Sequence, residues 1–276
     1  MTQSDLLPAT LGRAAAVLDA LAGSRQLTLS EIVRSTGIPR SSAHRLLGNL
    51  VALRWLRRDE GRYMLGVKLF ELGSVARDQD RLCAAAIPAM CELSQKTGLT
   101  VHLGVRAGLD VIYLERILGR VGAGLPSRIG ARRPAHSTSL GKVLLAHSSE
   151  ATLELLSARP LARHTPFTVS SAAKLREELR QVRAAGVAVD RDGTVLGLSC
   201  VGAPVGPPGS VVGAISVAGR SAQLKSGTAL VGLVRYAAGA IWNSYREAVP
   251  RATPAARPEE ATDAYAVPAT LHVAGL

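Results

Sequence analysis

The chain has 276 residues, 47% apolar and 20% charged, which excludes a mostly disordered polymer and leaves room for one large or two medium folded domains. Aromatic residues make up only 3%, so the cores must be built from Leu, Val, Ile and Ala, and the formal net charge of +12 is compatible with a polyanionic partner. Three cysteines, Cys83, Cys91 and Cys200, form neither a C-x-x-C nor an even set, which argues against a disulfide framework and for a reducing, cytoplasmic setting.

No basic segment followed by an apolar core opens the chain, so no signal peptide is expected. Residues 10–21 carry a helical apolar period that Gly23 stops. Thr28 stands three residues before Glu31, the spacing of a capping box, so a short helix runs from there to about Ser35 and ends at Gly37. Pro39 falls where a helix best tolerates proline, in its first turn, and a third helix extends to about Leu53. Residues 55–65 are two apolar-rich runs around Asp59, Glu60 and Gly61, which predicts a hairpin.

Residues 68–79 read as a connecting helix, and residues 87–96 as another with Pro88 at its start or as a kink. After Gly98 the character changes. LTVHLGV and DVIYLERIL are strand-like, residues 121–134 are glycine-rich and basic, and helices are expected over 138–147, 150–157 and 172–185. Residues 194–219 contain no charge, but Pro204, Pro207 and Pro208 interrupt them. They predict two buried strands around a proline-glycine turn, not a membrane span. A last helix is expected over 224–249, and the Pro/Ala-rich residues 250–276 read as a disordered tail.

The third helix has two unlike sides. At ~100° per residue, His44, Arg45, Gly48 and Ala52 lie near Ser41, while Ala43, Leu46, Leu47, Leu50 and Leu53 lie opposite. Small residues let a helix approach a groove closely, and Ser and Arg donate to base edges and phosphates. Two helices joined by a Gly-containing turn and followed by a hairpin make a winged helix-turn-helix. Arg40, Ser41, Ser42, His44 and Arg45 are therefore candidates for the major groove of double-stranded DNA, with Arg57, Arg58 and Arg62 of the hairpin on phosphate or minor groove. A polar stripe also marks any surface helix, so the turn spacing and the hairpin carry the argument.

The segments LTLSEIVRSTGIPRSSAHRLLGNL, RYMLGVKLFELG, RIGARRPAHSTSLGKVLLA and VAVDRDGTVLGLSCVGAPV with VVGAISVAG, in this order, resemble the IclR family of bacterial transcription regulators. The likeness runs from about Leu11 to Tyr245. It implies an α+β chain: a winged helix-turn-helix domain (residues 1–67), a linker helix (68–81), a mixed α/β, GAF-like effector-binding domain (82–249) and the tail (250–276). It also implies operator DNA and a small-molecule effector as partners, a homodimer or dimer of dimers, and no cofactor. By position, the resemblance assigns the effector to Ser139, Leu140, Asp190, Cys200 and Ser216. Where the family often carries charged residues, this chain has Val195, Leu196 and Ser199, so a more apolar or larger ligand than a two- or three-carbon acid is expected.

Rival readings rest on less. A helix start at Ser137, Thr138 and Ser139 offers unpaired N–H groups to an anion, but simple capping by Ser137 or Thr138 accounts for the same residues. Ser139-Leu140-Gly141-Lys142 is an S-x-x-K, as in penicillin-recognising serine hydrolases. However, Lys96-Thr97-Gly98 precedes it instead of following, and no S-D-N lies between. The six histidines show no metal-ligand spacing; His102 reads as a core or pocket residue, His147 and His164 as surface ones. Single-stranded RNA is disfavoured because the first domain offers few aromatic stacking platforms beyond Trp55, Tyr63 and Phe70.

Overall fold

The computed structural model describes residues 9–120, 127–222, 224 and 227–248; the proposed tail therefore lies outside the described residues, as does part of the glycine-rich basic stretch. The described chain divides into two compact units at Gln79 and Asp80.

The first unit contains α1 (Ala9–Ala22), β1 (Leu27–Thr28), α2 (Leu29–Thr36), α3 (Arg40–Ala52), β2 (Leu56–Asp59), β3 (Arg62–Leu65) and α4 (Val67–Gln79). Both halves of the capping box form at α2. The Thr28 side chain accepts from the Glu31 N–H, and Glu31 accepts from the Thr28 N–H at 2.7 Å. Gly37 closes the helix in the left-handed region at φ 66°. Pro39 sits one position earlier than expected, at the N-cap of α3, where a missing N–H costs no helical bond.

Strands β2 and β3 pair antiparallel through Glu60 and Gly61, both at positive φ (44° and 78°), as a two-residue type I′ turn requires. Val17, Leu21, Ile32, Ala43, Leu47, Leu50, Leu56 and Tyr63 form the core. Leu53 departs from the expected apolar side. The helix stops at Ala52, so Leu53 becomes its C-cap and is exposed. Helix α4 buries no residue within the single chain.

The second unit is a six-stranded sheet with helices on both faces. It runs α5 (Arg81–Thr97), β4 (Thr100–Ala107), β5 (Asp110–Ile117), β6 (Arg132–Pro134), a 3-10 turn (Ala135–Ser137), α6 (Ser139–Ala146), α7 (Glu150–Ser157), α8 (Ala172–Ala185), β7 (Ala188–Arg191), β8 (Leu198–Val205), β9 (Gly213–Arg220) and α9 (Thr228–Glu247). The strand order is β6-β5-β4-β9-β8-β7, with every described pair antiparallel. Helices α5 and α9 cover one face; α6 and α8 cover the other.

Helix α5 begins at Arg81 instead of Ile87. Asp80 caps it by accepting from the Cys83 N–H at 2.8 Å, and buried Leu82, Cys83, Ala86, Met90 and Leu93 hold it on the sheet through the proline. Helix α9 begins at Thr228; Leu224 contributes to the core ahead of it. The uncharged stretch forms most of β8 and β9, as its composition predicts.

All eight residues of α6 are buried. The helix can sit this low because Gly141 has no side chain: a Cβ there would lie 2.1 Å from the Ala135 carbonyl oxygen and 2.3 Å from its Cα. Alanine in mid-helix is favoured over glycine by about 1 kcal/mol. A clash with backbone, which has little room to yield, costs about 1–3 kcal/mol. We predict that Gly141→Ala lowers the stability of the second unit, read as a lower urea midpoint of Trp242 fluorescence in a Trp55→Phe background. An unchanged or higher midpoint would show that α6 is not seated this tightly.

Candidate functional site

The first candidate surface lies on α3 and the hairpin. Arg40, Ser41, His44 and Arg45 are exposed and Ser42 is half-buried, while Ala43, Leu47 and Leu50 turn into the core. Arg57, Arg58 and Arg62 are exposed on the strands. Their freedom differs. Arg40 donates to the Ser30 hydroxyl at 3.0 Å, Arg58 stacks over Tyr63 with 5.5 Å to the ring centroid, and Arg62 lies 3.9 Å from the Glu31 carboxylate. The Thr28 backbone N–H, then the Thr28 hydroxyl, hold the Glu31 carboxyl below its usual range, so the cap that starts α2 also anchors Arg62.

The second candidate is a cavity under the start of α6, with about 560 Å³ of empty space including its open mouth. Ser139, Leu140, Asp190, Cys200 and Ser216 all line it, with His102, Tyr113, Arg133, Thr194 and Val195 among the other walls. Sheet register gathers them. Asp190 pairs with Cys200 and Cys200 with Ala218; one step along, Gly202 pairs with Ser216 and Ser216 with His102. Thr138 caps α6 by accepting from the Gly141 N–H at 3.0 Å, and its carbonyl accepts from the Lys142 N–H. The backbone N–H groups of Ser139 and Leu140 have no acceptor among the described residues and stand at the cavity wall. Capping and an open amide pair therefore coexist at one helix end.

Burial shifts several titratable walls toward their neutral forms. It lowers His102 to about 4, with the nearby Arg116 adding to the effect, and the ring bonds to the Ser127 hydroxyl at 2.8 Å. It pushes Cys200 up to about 12, helped by the neighbouring Asp190 and opposed by a bond with Ser139. Tyr113 is raised in the same way, chiefly by burial, and its ring meets His102 at 5.0 Å. Asp190 is also pushed up by burial, but Lys142 opposes this from 3.5 Å. Lys142 in turn bonds Glu178 at 2.8 Å, and its side chain is only 6% exposed.

Two expectations about the lining need correction. Ser199 does not face the cavity. It lies one residue out of phase with Cys200 on β8, is buried, and bonds the Ser221 hydroxyl at 2.9 Å. Leu196 is exposed and absent from the walls, leaving Val195 as the apolar replacement that lines them. His147 is half-buried, not a free surface residue, and neither ring nitrogen has a partner.

Sequence reasoning missed Tyr113, Arg133, Thr194 and the Lys142–Glu178 pair. The signal for Lys142 was available: it is the one cation in the otherwise apolar helix SLGKVLLA. Among the described residues no group of three or more His, Cys, Asp or Glu side chains could hold a metal ion, and no helix is long and apolar enough to cross a membrane.

Residues 75–243 match the family described as bacterial transcriptional regulator IclR C-terminal, and residues 10–60 match the IclR helix-turn-helix domain. The HTH-type transcriptional regulator XynR of Escherichia coli (strain K12) is 36% identical over 183 residues, covering 65% of this chain and 73% of that protein. The glycerol operon regulatory protein of Streptomyces griseus is 34% identical over 240 residues, covering 84% of this chain and 94% of that one. Among solved structures, an IclR homolog from Microbacterium hydrocarbonoxydans, complexed with 4-hydroxybenzoate, matches with a TM-score of 0.76 at 29% identity, covering 87% of this chain and 100% of that one.

His102 makes the second unit acid-sensitive in a defined window. Its folded value is depressed to about 4 from 6.5, so the unfolded chain takes up the proton first as pH falls. The stability is fully present above about pH 6.5 and declines down to about pH 4, by about 3 kcal/mol in total. His102→Gln should flatten this part of the stability–pH curve, measured by urea unfolding of Trp242 in the Trp55→Phe background. His136 and His147, both also lowered by burial, leave a residual slope. An unchanged slope in the variant would contradict the assignment.

Proposed function

The chain belongs to the IclR family of bacterial transcriptional regulators, and from that premise we propose which residues of its two units carry DNA recognition and effector sensing. It is a transcriptional regulator with a DNA-binding helix-turn-helix unit and an effector-binding unit that modulates it. On our reading, Ser41, Ser42, His44 and Arg45 face base edges in the major groove, and Arg57 and Arg58 of the wing meet the backbone. Arg40 and Arg62, engaged with Ser30 and Glu31, serve better as phosphate contacts in fixed positions than as base readers.

The effector, on the same reading, occupies the cavity under α6. The observation that carries this is the convergence of Ser139, Leu140, Asp190, Cys200 and Ser216, far apart in sequence, on one cavity beside an open amide pair. An acceptor group on the ligand would take the Ser139 and Leu140 N–H groups. An apolar body would rest on Leu140, Val195, Leu198 and Ala218. The Microbacterium homolog's 4-hydroxybenzoate combines such a ring with such an acceptor. A serine hydrolase is disfavoured on geometric grounds: the Lys142 side chain is engaged with Glu178 and Asp190, and the Ser139 hydroxyl with Cys200. We further propose a homodimer or dimer of dimers, because α4 leaves Val67, Phe70, Leu72 and Val75 exposed and a single winged module reads too few base pairs.

Gel-shift titration on the gene's own upstream region tests these assignments together. Arg45→Ala should cost ~1–3 kcal/mol of operator affinity if Arg45 reads a base. A metabolite found by its thermal upshift of the wild type should alter that affinity. Cys200→Trp should abolish this response and preserve ligand-free DNA binding. Full ligand affinity in a folded Cys200→Trp protein would move the effector site elsewhere. Light scattering at micromolar concentration should give a dimer or tetramer; a monomer with and without DNA would contradict the proposed assembly.

A further inference from the structure

Thr165 and Thr168 are buried to 7% and 6% exposure although Phe167, between them, is 64% exposed. Their hydroxyls reach across to the turn that follows β7. Thr165 donates to the Asp192 carbonyl at 2.7 Å, and Thr168 donates to the Gly193 carbonyl at 2.6 Å. Each hydroxyl also accepts: Thr168 from the His164 and Thr165 N–H groups at 3.0 and 2.9 Å, Thr165 from the Phe167 N–H at 3.0 Å. The loop segment 164–168 is thus folded around the two oxygens that grip the turn.

That turn needs gripping. Asp192 is held at φ 59°, in the left-handed region that a non-glycine residue seldom adopts. Its carboxylate accepts from the Gly197 N–H and the Ser221 hydroxyl, each at 2.7 Å. Gly193 packs so close to Asp190 that a Cβ would sit 2.2 Å from Oδ1, and the Thr194 N–H bonds the same carboxylate. Thr194 donates onward to the Ser137 carbonyl, just ahead of α6. Thr194 and Val195 then line the cavity together with Cys200.

We propose that Thr165 and Thr168 are positioning residues of the cavity: they fasten the 192–195 turn and so set access to Cys200 and the tightness with which a ligand is held. The inference rests on the reading of the cavity as the effector site for its consequence, but not for its test. Without one of these hydroxyls, the Asp192 or the Gly193 carbonyl loses its side-chain partner, so the turn opens more often.

Iodoacetamide labelling of the full-length protein reads this directly, with mass spectrometry following Cys200 and, as an internal control, Cys83 in the α5 core. Thr165→Val and Thr168→Val should each raise the Cys200 rate about tenfold, the change expected for one lost buried hydrogen bond. Thr165→Ser and Thr168→Ser, which keep the hydroxyl, should label like wild type, and Cys83 should remain protected throughout. A wild-type Cys200 rate in both valine variants would overturn the proposal. So would a parallel rise at Cys83, which signals general loosening, or serine variants that behave like valine ones. Failure of the effector reading itself would instead appear as undiminished ligand affinity in Cys200→Trp, with these labelling rates unaffected.

Discussion

The close seat of α6 on the sheet is the contact on which the second unit depends. Gly141 rests on the Ala135 backbone, and on the strand side a Cβ at Gly202 would come within 3.2 Å of the Ser139 carbonyl carbon. The absent side chain at Gly141 is what lets the helix end lie this near, and Gly202 leaves the strand side of the contact unstrained. The result is that two helical N–H groups open onto β8 and β9 instead of onto solvent, with the Thr138 cap fixing the helix start. Cys200, Ser216 and His102 become neighbours through strand register, and Asp190 closes the row from the edge strand. A larger residue at Gly141 would have to displace the helix from the Ala135 backbone.

Electrostatics then give the cavity its character. His102, Tyr113 and Cys200 are each held in the neutral form by burial, so they present hydrogen-bonding and apolar surface without net charge. Asp190, which burial pushes up, is steadied by Lys142, which Glu178 holds from the α8 side. A buried ion pair of this kind contributes little net stability, and its value lies in fixing geometry. On the proposed reading of the cavity as the effector site, the amide pair and the apolar surfaces of Leu140, Val195 and Leu198 act beside the Arg133 guanidinium in selecting a ligand.

Local rules made the first unit readable. Thr28 with Glu31, Gly37, Pro39 and the Glu60–Gly61 turn each act within a few residues, and the structure follows them closely. Where tertiary packing prevails, local reading falls short. Pro88 suggests a helix start, yet buried contacts and the Asp80 cap carry α5 back to Arg81. The family resemblance brought Ser139, Leu140, Asp190, Cys200 and Ser216 together as candidates, but periodicity within β8 alone would have turned Ser199 away from them. Thr165 and Thr168 left no local trace, because their partners lie on a turn more than twenty residues downstream. Lys142 was visible as an anomaly, although its partners were not.

What fills the space under α6 should govern operator binding, and covalent filling tests this without knowledge of the effector. Cys200 can be alkylated with N-ethylmaleimide in a Cys91→Ser protein, with Cys83 shielded in the α5 core, and the operator titrated with modified and unmodified protein. The account predicts operator affinities that differ by about fivefold or more, the lower range of allosteric coupling. Equal affinities, with Cys200 fully modified and the fold intact, would contradict it.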